Sequence, residues 1–238
     1  MNRDNILVES GRRWEFDQAT TDCFANMLER SIPDYSSMRG LTTKIARRFV
    51  TPRSVIADIG CSRGDAIAPL VDAFGAQNTF VLQDVSEPML AACRMRFSGM
   101  IGAGVLRVES NDIRKGVGFS CASVVLSVLT LQFTPIEYRH QIVESVFNAL
   151  NPGGALLLVE KVLGNNPQSD RLLTDLYLDE KREHAYTEEQ IASKRKALEG
   201  VLVPVSAEWN RDFLVRAGFK TVCEYWRYLN FVGFMAVK

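Results

Sequence analysis

Apolar residues recur at helical spacing over 18–31 (QATTDCFANMLERS) and over 36–50 (SSMRGLTTKIARRFV), and IPDY between them carries the turn signal Pro33. Two helices are therefore predicted ahead of any strand. From residue 54 the pattern changes to short apolar runs that alternate with amphipathic ones: SVIADI, DAIAPLVDAF, TFVLQD, EPMLAACRMRF, GVLRVES, SVVLSVLTLQF, IEYRHQIVESVFNAL and, after the turn NPGG, GALLLVEK. Continuous apolar strands separated by helices predict a parallel sheet covered on both faces. Residues 162–204 break the alternation with the charged, helix-favouring tracts DRLLTDLYLDEKREH and TEEQIASKRKALEG, which predict a helical insertion. SAEWNRDFLVRAG then reads as a helix, and FKTVCEYW and YLNFVGFMAVK as two strands in near succession. So short a connection makes the last strand antiparallel. The expectation is one α/β domain over 1–238: a seven-stranded, mostly parallel sheet with an antiparallel last strand, N-terminal helices within 1–50 and a helical insertion at 162–204.

Charge and cysteine content narrow the function classes. Lys+Arg and Asp+Glu both number 28, so no net field draws the chain to nucleic acid or to an anionic membrane. Direct nucleic-acid binding is not expected, and a small-molecule substrate is. Five cysteines, odd in number and without CxxC or Cys/His ligand spacing, predict a reducing compartment and no metal site. No apolar run approaches the length of a membrane span, and MNRDNILVES is too polar for a signal peptide. The expected location is the cytoplasm.

The candidate chemistry gathers at VIADIGCSRG, where Asp58, Gly60, Cys61, Ser62 and Gly64 fall at a strand-to-helix turn. Small residues there let the backbone approach a ligand, and N–H groups at a helix start bind polar groups without charged side chains. Asp84 ends the next predicted strand 20 residues beyond Gly64, where a Rossmann-like unit places the carboxylate that accepts the ribose hydroxyls. Alternatively, Asp84 or Ser86 simply caps the following helix. Ser62 and Arg63 break the G-x-G-x-x-G spacing of dinucleotide-binding proteins. His140 and His184 have no partner at metal or triad spacing, and Cys61 reads as a small packing residue.

NDIR after the third strand, NPGG before the fifth and RAGF before the terminal pair complete a set that resembles the class I S-adenosylmethionine-dependent methyltransferases. The likeness covers roughly 54–160 and 206–237 and implies S-adenosylmethionine as cofactor. A narrower resemblance runs nearly end to end. WEFD, RSIPDYSSM, DIGCSRGDA, TLQF, NPGGALLLVEK and SKRKALEGV are similar to segments of the carboxy-S-adenosylmethionine synthases. That family has the methyltransferase fold but takes prephenate as a carboxyl donor, making the reagent that later builds oxyacetyl-uridine in transfer RNA.

The resemblance places ligand contacts on Tyr35, on Gly60, Cys61 and Ser62, on Asp84 and Val85, on Asp112 and Ile113, on Val128 and on Arg195, and it implies a homodimer. Arg195 would hold a carboxylate, for which a guanidinium is the best bidentate partner. The competing reading pairs Arg195 with Glu199 on a solvated helix. Val128 stands where the family has an asparagine and offers no hydrogen-bonding group. The leading expectation is therefore methyl transfer to a small, carboxylate-bearing metabolite oriented by Arg195. Carboxy-S-adenosylmethionine synthesis and a non-catalytic cofactor-binding module are the alternatives.

Overall fold

The computed structural model of the chain describes residues 12–238. The start MNRDNILVES, which reads as too polar for a signal peptide, thus lies outside the described residues. Helix α1 (Gln18–Ser31) begins where the Asp17 carboxylate accepts the Thr20 amide, and α2 (Tyr35–Phe49) follows a turn that holds Asp34 at φ 50°. Both match the predicted runs, because each has one apolar face to bury.

The alternation follows as β1 (Val55–Ile59), α3 (Ala68–Phe74), β2 (Thr79–Asp84), α4 (Glu87–Arg96), a single-turn α5 (Ser98–Gly102), β3 (Leu106–Ser110), β4 (Ala122–Val128), α6 (Ile136–Ala149) and β5 (Leu150–Leu163). The insertion folds as α7 (Pro167–Glu183) and α8 (Glu188–Ala197), each started by a capping box. A short β6 (Val205–Ser206), α9 (Ala207–Arg216), β7 (Thr221–Tyr228) and β8 (Phe231–Val237) complete the chain.

The strands lie in the order β3-β2-β1-β4-β5-β8-β7, and β8 runs antiparallel to both of its neighbours. Among the described residues there are eight strands, one more than the seven that the sequence pattern predicts. The additional one, β6, pairs Val205 and Ser206 with Val162 and Leu163 at the end of β5. Two residues are too few to show a strand period in sequence. NPGG also differs from expectation: it lies inside β5, where Leu150 pairs with Ala122 and regular pairing resumes at Val124 and Ala155.

Along β5, Leu156 and Leu158 face one core layer with Ile142, Val146 and Leu214, while Leu157 faces the other with Phe80, Leu90 and Leu126. Burial on both faces is why these strands read as continuous apolar runs. At about 25 cal/mol per Å², each such side chain contributes roughly 1.5–3 kcal/mol.

The carboxyl ends of β1, β2, β4 and β5 share one edge, where parallel α/β sheets place their ligand sites. There β4 leads into a left-handed residue, Leu129 (φ 59°), and a 3-10 turn, Leu131–Phe133. Glu160, fully buried on β5, accepts the amides of Thr130, Leu131 and Gln132 at 3.2, 2.9 and 2.7 Å. Arg139, also buried, donates to the carbonyls of Thr134 and Val203 at 2.9 and 2.7 Å and so joins this turn to the exit of the insertion.

Burial pushes the Glu160 carboxyl up to about 8, against the opposing pull of Arg139 and the three amides. Between its ordinary value and about 8, the folded chain therefore holds a proton that the unfolded chain releases. That contribution to stability is complete below the ordinary carboxylate range and is lost as pH rises through about 8. Urea unfolding should show stability falling with pH across this window by up to about 1.4 kcal/mol per unit. Glu160→Gln should be less stable overall but flatter with pH, and an unchanged slope in that variant would assign the effect to other groups.

Candidate active site

Two adjoining chambers lie at the carboxyl edge of the sheet. The outer one is a cleft of about 700 Å³ whose walls include Asp84, Val85, Asp112 and Ile113. The inner one is a cavity of about 140 Å³ reached by Tyr35, Asp58, Cys61 and Val128. Gly60, Ser62, Leu129, Phe16 and Phe133 line both and so stand where the two adjoin. The structure thus brings together every expected ligand-binding residue except Arg195.

The glycine turn is built for close approach. Gly60 has φ 68°, and a Cβ there would collide with the Thr130 side chain. Ser62, two residues on, is itself left-handed at φ 48°. A non-glycine residue costs about 1–2 kcal/mol in that conformation. Its amide donates to Asp84 Oδ2 at 2.9 Å, while Asp84 Oδ1 accepts the amides of Val85 and Ser86 at 2.8 and 2.9 Å. One carboxylate therefore fixes two turns, and Oδ2 keeps a lone pair for a ligand in the cleft, while both acceptor sites of Oδ1 are taken by the amides. Ser86 caps α4, so the capping alternative is also satisfied, by a different residue. Asp112 chelates the Arg114 guanidinium, which holds its carboxyl below the usual range.

At the inner end, Asp58 is fully buried, and burial together with nearby Asp84 raises its carboxyl well above the ordinary value. Asp58 Oδ2, Asp65 Oδ2 and Arg39 Nε have no hydrogen-bond partner among the described residues. Orphaned buried groups of both signs beside the glycine turn suit a ligand end that carries an ammonium and a carboxylate. S-adenosylmethionine has such an end, together with a ribose diol for Asp84. The residues present therefore fit it. Cys61 and Cys93 share a hydrogen bond that, with burial, raises the Cys61 thiol well above its usual range, so it is no thiolate nucleophile.

Arg195 lies on the exposed face of α8, and its neighbour Lys194 is the one turned inward. Lys161 and Lys181 join Lys194 on the cavity wall. Sequence reasoning missed all three, along with Trp14 and Phe16. For Lys161 a signal existed: a charged residue at the end of an apolar strand in such a sheet points to the site. Buried lysines in a charged helix carry no such mark.

Geometry and fold define the class: a methyltransferase-like α/β domain with an S-adenosylmethionine cleft. A family model described as "Methyltransferase domain" matches residues 56–154. The fold is shared with an O-methyltransferase family protein from Burkholderia thailandensis, at TM-score 0.65 and 18% identity over 93% of this chain and 60% of that one. It is shared too with human N-acetylserotonin methyltransferase in complex with SAM, at TM-score 0.60 and 16% identity over 93% and 55%. The sequence is 38% identical to the carboxy-S-adenosyl-L-methionine synthase of Methylococcus capsulatus and 33% identical to that of Actinobacillus pleuropneumoniae serotype 5b, over 100% of both chains in each case. The chain belongs to the carboxy-S-adenosyl-L-methionine synthase family.

Asp84→Ala should weaken S-adenosylhomocysteine binding by about 1.5–3 kcal/mol for each hydrogen bond to the carboxylate that is lost. Gly60→Ala should weaken it too, by displacing Thr130. Titration calorimetry measures both, and wild-type affinity in Asp84→Ala would remove Asp84 from the site.

Proposed function

We propose that the chain makes carboxy-S-adenosyl-L-methionine, placing a carboxyl group on the methyl carbon of S-adenosylmethionine. The observation that carries this reading is the inner cavity, a cationic chamber adjoining the cofactor cleft at the glycine turn and walled by the insertion and the N-terminal segment. Methyl transfer to a carboxylate-bearing metabolite, the leading expectation from sequence, uses the same anion-binding chamber. Carboxyl transfer is preferred because the match to carboxy-S-adenosyl-L-methionine synthases spans the whole chain, and so includes 162–204 and the N-terminal helices, which contribute to the lining of that chamber.

When bound, the cofactor supplies a sulfonium that acidifies its own methyl group. The remaining work belongs to the chain. Asp84 orients the ribose, Asp58 and Asp65 face the ammonium, and Asp112 with Ile113 flank the adenine. Trp14, Phe16 and Phe133 exclude water, which strengthens every charge interaction inside. Val128 contributes an apolar wall. The expected donor is prephenate, as the family resemblance implies: its ring carboxyl would leave as carbon dioxide and join the methyl carbon, the methyl proton would leave with the expelled ring hydroxyl as water, and phenylpyruvate would be released. A reducing cytoplasm suits the five free cysteines. A homodimer suits exposed Leu172 and Leu176 on α7.

Mass spectrometry of the ligand released from purified protein, and of product after incubation with S-adenosylmethionine and prephenate, tests the chemistry. A species heavier than S-adenosylmethionine by one carbon dioxide is expected. Its absence, with a methylated metabolite formed from an extract instead, would restore methyl transfer, and no turnover with retained binding would leave a cofactor-binding module. Light scattering should find a dimer that Leu172→Glu with Leu176→Glu dissociates; a monomer at high concentration would end the dimer proposal.

A further inference from the structure

Three ammonium groups from three different elements converge on one wall of the inner cavity. Lys161 Nζ, at the end of β5, lies 4.2 Å from the centre of the Tyr177 ring and 5.8 Å from that of Phe231. Lys181 Nζ, on α7, lies 4.9 Å from the Tyr177 ring and 5.5 Å from the Tyr186 ring. Lys194 Nζ, on α8, lies 4.5 Å from the Tyr186 ring and 3.2 Å from its hydroxyl. Lys181 and Lys194 are buried, and Tyr177 packs edge-on against Phe231 with centroids 5.6 Å apart.

Such an arrangement is unfavourable for packing alone. Like charges repel strongly away from water, and apolar side chains would fill the same space at lower cost. Aromatic faces offset part of the repulsion and fix where each ammonium points. Apolar side chains, Phe24, Met27, Ile32 and Leu198 among them, line the same cavity. A molecule with an apolar body and more than one carboxylate would cancel the repulsion and fill the cavity.

We infer that Lys161 and Lys181, mounted on the ring of Tyr177, are the specificity-determining residues for the second substrate, gripping the carboxylates of an apolar-bodied polycarboxylate beside the cofactor. This rests on the proposed function for the identity of the site, though not for its chemistry. Tyr177 is a positioning residue: burial opposes its ionisation, yet Lys181 and Lys161 draw its phenol below the ordinary value, a sign of how closely they surround it.

The test uses the full chain saturated with S-adenosylhomocysteine and terephthalate as an inert dicarboxylate probe, followed by titration calorimetry. Terephthalate should bind at least tenfold tighter than benzoate. Lys161→Met and Lys181→Met should each weaken it tenfold or more with S-adenosylhomocysteine affinity unchanged, and Lys161→Arg and Lys181→Arg should recover part of the loss. Tyr177→Leu, which removes the ring that both ammonium groups face, should weaken it severalfold, and Tyr177→Phe, which keeps the ring, should recover most of the loss. Equal affinity for terephthalate and benzoate, or wild-type affinity in both methionine variants, would overturn the inference.

Should a methionine variant lose S-adenosylhomocysteine binding, and with it the fold, reductive methylation of the wild-type protein decides. Terephthalate should slow labelling of Lys161 and Lys181, and labelling at an unchanged rate overturns the inference. Lysine-dependent terephthalate binding in a protein that forms no carboxylated product would support the lysine assignment and count against the proposed reaction alone.

Discussion

A carboxyl group shut away from water organises the working edge of this sheet. Glu160 gathers three consecutive amides, and those amides belong to the turn that divides the cofactor cleft from the inner cavity. Burying such a group is costly unless its hydrogen bonds are satisfied and a counter-charge is near. Arg139 supplies the field, and its own donors are spent on carbonyls at either end of the connection to the insertion. Gln132 closes the loop by accepting the Lys161 amide at 2.7 Å through its side chain and the Val203 amide at 2.8 Å through its carbonyl. The position of Phe133, the height of β5 and the exit of the insertion are thereby one mechanical unit.

The cofactor turn is held by a second carboxylate of opposite design. Asp84 is partly exposed and spends its acceptors on amides that a ligand would otherwise find misplaced. Its bond to the Ser62 amide helps to offset the strain of a left-handed serine, and strain of this sort persists only where surroundings over-determine it. Gly60 cannot be replaced for a different reason: Thr130, whose hydroxyl donates to the Ile59 carbonyl at 3.1 Å, occupies the space that a side chain would need. The turn on β1 and the turn held by Glu160 are thus interlocked.

Segments distant in sequence close the chambers. The Trp14 amide donates to the Ala197 carbonyl at 3.0 Å, Ser86 Oγ to the Phe16 carbonyl at 2.5 Å and Arg63 to the Thr21 carbonyl at 3.2 Å. Arg30, at the end of α1, caps the α7–α8 junction through the carbonyls of His184 and Ala185. The charge that Arg63 introduces into the glycine turn is therefore turned away to bind α1. A small cavity lined by cations results, dry enough for its charges to act strongly on one another.

The sequence by itself determined the parts governed by local rules. Continuous apolar runs could only be strands covered on both faces, the spacing of Gly60, Asp84 and Asp112 followed from the repeat of strand and helix, and the near succession of the last two strands forced an antiparallel end. Those residues meet in the cleft because each stands at or within two residues of the carboxyl end of a parallel strand. Tertiary structure decided what depends on rotation about a helix axis and on contacts between remote segments. Whether Lys194 or Arg195 faces the cavity is a difference of one residue, about 100° around α8, and charge patterning on a polar helix cannot reveal it. The pairing of β6, the collision that protects Gly60, the shared anchoring of turn and insertion by Glu160 and Arg139, and the meeting of three lysines over two tyrosines depend on distances that no local period encodes.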